Sequence, residues 1–429
     1  MIDVLVTGAE THQGVVVIRS LGKRGVRMLV TGEQPNSIGF YSKYIADKKT
    51  LPSAGSEKAA FVDGVLDLVK KYSIPYVYPV TETSLIALDE RRPDIETAAK
   101  LIAASSHTIR CSVDKKITLA MAEEQHIPST RTLFPDSIGE AEACAEAWGY
   151  PVIFKPRGRS NDSRVVGHFN FKVLYAHNRQ QLREIMASCA SGIYPMMQEY
   201  AYGTHTHFNC FMEGGEAHSP FYDEAIRMIP ITGGIATRRK SLPMDPEIAE
   251  QSIRLFQAMR WEGFGQTQWK GPGKDGTYRF IEVGVRIIAS VGSPVFSGVD
   301  LPWMQYQYFT GQRVDRAQGY RVGKSCRWLR GDTLAVAQYL VGDAPTSADV
   351  IPSKPRILLS WLVDFVRPGL THDVESISDP LPGIFEFIML IRNLRQLLKS
   401  SIARRYQALR NTVRGFAGKE KGPVGSSGI

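Results

Sequence analysis

Three stretches of the chain bring together side chains that could do chemistry. The first is residues 261–286, WEGFGQTQWKGPGKDGTYRFIEVGVR. It reads as two strands joined by a Gly-rich turn, whose strongest signal is Asp275 followed by Gly276. Strand alternation sets Glu282, Gly284 and Arg286 on one face and Ile281, Val283 and Val285 on the other. A carboxylate and a guanidinium thus leave the same face of an otherwise apolar strand, with Gln268 across the hairpin. Burying a carboxylate is costly unless a cation or donor compensates it, so these residues are either a structural ion pair or part of a site. The second stretch is residues 150–156, an apolar strand ending in Lys155 before Pro156. The charge of a lysine there must reach solvent or an anion. Residues 157–164 follow and are small, polar and basic. Such a loop can cover phosphates with backbone N–H groups, hydroxyls and arginines, or it can be a solvated turn. The third stretch combines Thr232, Gly233 and Gly234 with Arg238, Arg239, Lys240 and Ser241. It is a donor cluster suited to an anion or carboxylate, or else a basic surface loop.

These side chains need a scaffold. Residues 2–7 form a short apolar strand, 8–14 a turn, 15–21 a helix and 26–31 a second strand, a unit of parallel α/β type. Gly8 and Gly14 lack the full dinucleotide spacing. With Glu33 as a ribose ligand the unit has a nicotinamide-cofactor reading; a plain α/β half-domain is the other. A helix over 58–71, a strand over 76–79 and a helix capped near Thr81 continue the pattern. That last helix starts over the C-terminal edge of the sheet, where ligands usually sit, with Glu82 in its first turn. Further on come a helix ending at Gln125, a helix over 140–148 and a strand over 194–200. His205 and His207 share one strand face, but no third metal ligand is suggested. A turn at 213–216, an amphipathic helix over 245–259 and a helix ending at Gly311 complete the ordered pattern.

The bulk numbers restrict the function classes. A chain of 429 residues, 43% hydrophobic and 22% charged, is expected to form two or three globular domains. The five cysteines are scattered, without a CxxC pair, and read as reduced thiols of a cytoplasmic protein. No signal peptide and no bilayer-length apolar run is read. The net charge of +9 concentrates at the C-terminus, and no nucleic-acid partner is expected.

Taken in order, the residues carry more weight than singly. After the α/β half-domain come Asp114 with Lys115, then Val152, Ile153, Phe154, Lys155 and Pro156, then Gln198, Glu199 and Tyr200 with Gly203. Thr232 with two glycines, Gln268, Glu282 with Arg286, and the run Gly298, Val299, Asp300, Leu301 and Pro302 follow. Over residues 1–311 this order resembles the ATP-grasp superfamily, most closely its carbamoyl-phosphate-synthase-like carboxylate–amine ligases. Asp379, Pro380, Leu381 and Pro382 also resemble the C-terminal extension of bacterial stand-alone members. The resemblance implies an α/β and α+β architecture. It has a pre-ATP-grasp, Rossmann-like domain (1–111), an ATP-grasp lid (112–200), a catalytic subdomain (201–311) and a C-terminal extension (312–416). It implies ATP and Mg²⁺ (or Mn²⁺) as cofactors, and small-molecule carboxylate and amine substrates. By position, Lys115 and Lys155 correspond to phosphate-binding residues, and Arg159 and Ser160 fall in the phosphate-covering loop. Gln198, Glu199 and Tyr200 correspond to the hinge strand that meets adenine. Gln268, Glu282 and position 284 correspond to metal ligands, and Arg286 to the arginine that contacts phosphate and the reacting carboxylate.

Two departures open a second reading. The family usually has Glu-x-Asn-Pro-Arg where this chain has EVGVR, so Gly284 offers no side-chain ligand. The 157–164 loop has one glycine where the family's loop is richer. The alternative is an ATP-grasp protein that binds nucleotide without turnover, associated with a membrane surface or partner through its tail. Over 384–410, apolar residues recur at helical spacing among Arg392, Arg395, Lys399, Arg404, Arg405 and Arg410. This helix either lies peripherally on an anionic membrane or packs on the catalytic domain or a homodimer partner. Residues 417–429, rich in Gly, Lys and Ser, are expected to be disordered.

Overall fold

The computed structural model describes residues 1–158, 173–189, 193–342 and 351–419, with the backbone alone over 404–419. Arg159, Ser160 and the rest of the expected phosphate-covering loop after Gly158 lie outside the described residues, as do residues 420–429.

Short runs of Val, Leu and Met make the first sheet: β1 (Val4–Val6), β2 (Met28–Gly32), β3 (Ile45–Thr50), β4 (Tyr76–Tyr78) and β5 (Lys100–Leu101). They pair in parallel in the order β3-β2-β1-β4-β5. Every residue of β1 and β2 is buried, as a parallel sheet covered on both faces requires. One face packs on the helix His12–Gly22, the other on Lys58–Tyr72 and Glu82–Glu90. Phe211 and Phe264, from the large sheet described below, and Ile288, just past the end of one of its strands at Gly284, share a core with Val4, Val6 and Val30. The first domain is therefore joined to that sheet by a continuous apolar core.

A small antiparallel sheet follows: β6 (Thr132–Leu133), β7 (Val152–Lys155), β8 (Leu174–Ala176) and β9 (Met196–Glu199), in the order β6-β9-β7-β8. Its buried core, including Ala141, Phe154, Leu182 and Met197, draws on residues 141–197. This is a lid with its own core. The helix Lys115–Glu124, placed in the lid by the boundaries read from the sequence, packs elsewhere. Ala122 and Ile127 are buried with Phe208, Leu255 and Phe280 of the catalytic layer.

The largest sheet runs β14-β13-β10-β11-β12-β15-β16. Its strands are β10 (Thr204–Glu213), β11 (Glu216–Ile229), β12 (Ile235–Ser241), β13 (Gly263–Gly271), β14 (Arg279–Gly284), β15 (Ser325–Arg327) and β16 (Thr371–His372). The last two strands belong to the C-terminal extension, which thus completes the sheet rather than hanging from it. The donor cluster expected at 238–241 is part of β12. Arg239 is wholly buried against Asp373 at 2.6 Å, and Arg238 lies 2.7 Å from Asp364. Both arginines are engaged by carboxylates of the extension and serve the fold, while Lys240 stays exposed.

The same pattern recurs along the extension. Arg19 meets Asp379 at 2.9 Å, Arg327 meets Asp332 at 2.7 Å and Arg330 meets Glu386 at 3.2 Å. Arg227 bridges Asp332 and Asp364. The extension adds the helices Leu329–Leu340, Lys354–Val363 and Leu381–Lys419. The last one runs through residues 417–419, where the disordered tail was expected to begin.

Candidate active site

β13 and β14 form the floor of the site. Their register sets Gln268 directly opposite Glu282 and Gln266 opposite Gly284, with a bulge after Gln268. Thr267 and Trp269 turn away and meet Ser252 of the helix Pro246–Ala258, at 2.7 and 3.2 Å. The alternation read from the sequence is thus the alternation that points Gln268 and Glu282 at the cleft. β14 ends at Gly284, and Arg286 lies just beyond it. Its Nη1 donates to the Ile287 carbonyl at 2.9 Å and its Nε lies 3.6 Å from Glu82 Oε2. Glu82 stands in the first turn of a helix closed by a capping box between Thr81 and Ser84. The start of the Glu82–Glu90 helix therefore meets the chain just beyond the β13–β14 hairpin. Glu82, Lys115, Gln268, Glu282, Gly284 and Arg286 line one cavity.

Lys155 approaches from the small sheet, and Lys115 from the start of the helix that packs on the large one. Asp114 caps the Lys115–Glu124 helix by accepting from Lys116 N at 3.0 Å. The same carboxylate takes Arg157 Nε at 2.8 Å and Nη2 at 2.7 Å, while Lys115 N donates to the Arg157 carbonyl at 3.1 Å. The exit of β7 is thereby tied to the start of this helix. A Cβ at Gly158 would come within 2.9 Å of the Val113 carbonyl oxygen, so this close passage needs glycine. Lys115 Nζ lies 4.0 Å from Glu282 Oε2. Lys155 Nζ donates to Gln198 Oε1 at 3.0 Å. Gln198 Nε2 in turn donates to Thr130 Oγ1 at 3.1 Å and Thr132 Oγ1 at 2.8 Å. Burial pulls the Lys155 ammonium down to a pKa of about 8; Glu282 holds it up, and Lys115 and Lys270 press it lower.

Lys270 is a third cation, one that motif reading passed over. Its Nζ sits 4.4 Å above the Tyr200 ring and donates to the Tyr200 hydroxyl at 3.4 Å. Alternation from Gln268 puts it on the same face, so it was legible. Thr130 and Thr132 carry no such signal, because they act only through Gln198. Of the three hinge residues, Gln198 spends its amide on positioning Lys155. Glu199 holds the lid edge by accepting from Arg131 N at 2.9 Å and Nε at 2.5 Å, and Tyr200 is buried under Lys270.

Two other sequence readings resolve structurally. His207 Nδ1 pairs with Asp223 Oδ1 at 2.8 Å, both buried. Burial pulls the His205 pKa well down, reinforced by Lys270, His207 and Lys155. In the N-terminal turn, a Cβ at Gly14 would meet the Gly8 carbonyl oxygen at 2.3 Å, so that glycine serves helix packing. Glu33 Oε1 accepts from Ala54 N at 3.1 Å.

A hard divalent cation asks for a few oxygens and completes its shell with phosphate and water. Glu282 and Gln268, directly opposite one another, supply a carboxylate and an amide oxygen and fit that demand. Among the described residues no cluster of three His, Cys, Asp or Glu could hold a metal alone. At position 284 a Cβ would start 3.5 Å from Gln266 Oε1, so the place without a side chain faces another amide oxygen.

No family model matches the chain, and no curated protein matches its sequence. Solved structures do match. The biotin carboxylase domain of Hydrogenobacter thermophilus 2-oxoglutarate carboxylase, solved with MgADP, ADP and bicarbonate, is 15% identical with a TM-score of 0.59 over 76% of this chain and 73% of that one. Campylobacter jejuni biotin carboxylase, solved as a β,γ-ATP complex, is 15% identical with a TM-score of 0.59 over 76% and 74%. Staphylococcus aureus N5-carboxyaminoimidazole synthetase is 12% identical with a TM-score of 0.56 over 76% and 80%. The mixed architecture implied by the resemblance is the one observed, and the chain has the ATP-grasp fold.

Proposed function

We propose that this chain is an ATP-dependent ligase that activates a carboxylate as an acyl phosphate for attack by an amine. The observation that carries the reading is the grouping of cations at this end of the hairpin: Lys115 lies 4.0 Å from Glu282, the buried Lys155 feels Glu282, Lys115 and Lys270, and Arg286 lines the same cavity as Lys115 and Glu282. Three ammonium groups and the Arg286 guanidinium, set against the carboxylates of Glu282 and Glu82, give a cationic region suited to a polyphosphate. Lys115 and Lys155 bind the phosphates. Glu282 and Gln268 would hold Mg²⁺, which neutralises charge between phosphate oxygens when bound. Arg286, steadied by Glu82, orients the acid. An oxygen of that acid bonds to the γ-phosphorus as the bond to the bridging oxygen breaks and ADP leaves. The amine nitrogen then bonds to the acyl carbon, phosphate departs, and the amine gives up a proton. Positioning and charge neutralisation supply most of the rate, so no nucleophilic Ser or Cys is needed.

The test is formation of ADP and phosphate that depends on Mg²⁺ and on an added carboxylate and amine. Lys155→Ala and Glu282→Ala are each expected to lower turnover by at least about 10²-fold, the usual scale for removing an electrostatic contact in phosphoryl transfer. Unchanged turnover in both would refute the reading. Gly284 favours a second reading, a nucleotide-binding protein without turnover. That reading gains if ATP binds and no mixture of acids and amines yields ADP.

A further inference from the structure

The C-terminal extension sorts its charges by direction. Its carboxylates over residues 351–419 are Asp364, Asp373, Glu375, Asp379 and Glu386. Asp364, Asp373, Asp379 and Glu386 are buried, Glu375 is half-buried, and arginines hold the four buried ones. The exposed charged side chains described over the same span are all cationic, among them Lys354, Arg356, Arg367, Arg392, Arg395 and Lys399. Large apolar side chains are exposed between these cations. On the helix Leu381–Lys419, the exposed Ile384, Phe387, Ile388, Ile391, Leu398 and Ile402 form one stripe at helical spacing, with Arg395 in line between Ile391 and Leu398 and Arg392 and Lys399 along one side. Glu386, Leu390 and Ser401 are buried on its other side. The stripe is therefore the outward face of a helix that already has a packed inward face. Next to it in chain order, the helix Lys354–Val363 and the turn after it expose Leu359, Leu362, Val363, Phe365 and Val366, the last by 79%. Both helices pack on Leu329–Leu340.

We propose that this outward face docks on an anionic lipid surface, with the apolar stripe in the headgroup boundary and the flanking Lys and Arg over lipid phosphates. A helix that pairs apolar residues with cations and bears no exposed carboxylate is the kind that lies in such an interface. The charge pattern also disfavours a second copy of the chain as the occupant. Self-pairing along the stripe would bring Arg392, Arg395 and Lys399 against their own counterparts with no exposed carboxylate to offset them. No described helix is long and apolar enough to cross a membrane, so the contact is peripheral. It does not depend on the ligase reading, because none of these residues lines the cavity that holds Glu282 and Arg286.

The experiment is co-sedimentation of the full chain with phosphatidylcholine vesicles, with and without one third phosphatidylglycerol, at low and high salt. The expected result is binding to the anionic vesicles alone, weakened at least tenfold by high salt. Phe387→Asp with Ile391→Asp should abolish it, and Arg392→Glu with Arg395→Glu should weaken it at least tenfold. Nucleotide binding and the circular dichroism spectrum should be unchanged, since all four side chains are exposed. Equal partition onto both kinds of vesicle, or onto neither, overturns the proposal. A dimer in analytical ultracentrifugation that Phe387→Asp with Ile391→Asp dissociates overturns it too, and gives the face to a second copy.

Discussion

The ammonium of Lys155 is anchored by one amide oxygen and flanked by Lys115 and Lys270, and burial brings its pKa down to about 8. On the proposed function, phosphates bound at Lys155 favour its charged form and raise its pKa. Nucleotide affinity should then be at its highest below about pH 8 and fall by up to about tenfold per unit as pH rises past that value. Titration of binding between pH 7 and 9.5 checks this. Lys155→Arg, whose charge does not titrate in that range, should give a flat profile. The effect on stability has the opposite sign. Because the folded pKa lies below the ordinary 10.5, the cost of burying the charge is fully present below about pH 8 and is relieved as pH climbs toward 10.5. The residue type and strand position of Lys155 were legible in the sequence, since a lysine closing an apolar strand must reach solvent or an anion. Its fixation by Gln198, Thr130 and Thr132 was not, because side-chain networks join residues whose spacing carries no period.

The hairpin β13–β14 was the element best written in the sequence, with an Asp-Gly turn between two alternating strands and its polar residues on one face. The structure adds the partners that alternation cannot name, Lys115 for Glu282 and Glu82 for Arg286. It also gives Gly284 a neighbour. A Cβ there would lie 3.2 Å from Ile288 Cγ2 and 3.5 Å from Gln266 Oε1, so a side chain fits only if Ile288 yields by a few tenths of an ångström. Gly284→Asn should therefore tighten Mn²⁺ binding in the presence of a non-hydrolysable ATP analogue, read by electron paramagnetic resonance. It should cost about 1 kcal/mol of stability from the crowding. Looser Mn²⁺ binding would show that Gln266 already serves that oxygen position and that the asparagine displaces it. β12 was the element least legible. Four consecutive polar residues with two arginines look like a solvated loop, and only carboxylates more than a hundred residues away turn them into a buried strand.

At the scale of the whole molecule, the first domain and the catalytic sheet share one core, and the extension is fastened to both by buried ion pairs. The small sheet has a core of its own, and so do the other face of the first sheet and the helix-covered face of the large one. Asp373→Ala would leave the wholly buried Arg239 without its carboxylate, and should destabilise the protein by about 3–5 kcal/mol in urea titration. A loss below 1 kcal/mol would mean that water reaches the arginine and that the pair is peripheral. The ion pairs also set an order in time. Arg239 waits for a partner 134 residues further along the chain, and Arg19 for one 360 residues away. A chain leaving the ribosome folds from its beginning, yet here the catalytic sheet holds cations that no upstream acid neutralises in the finished fold. The sheet cannot settle until the extension has been made, so the cleft at the β13–β14 hairpin forms only after residue 373 has been synthesised. A chain stopped after residue 311 should accordingly be recovered unfolded or aggregated. Supplying residues 312–429 as a separate polypeptide during refolding should restore its nucleotide binding.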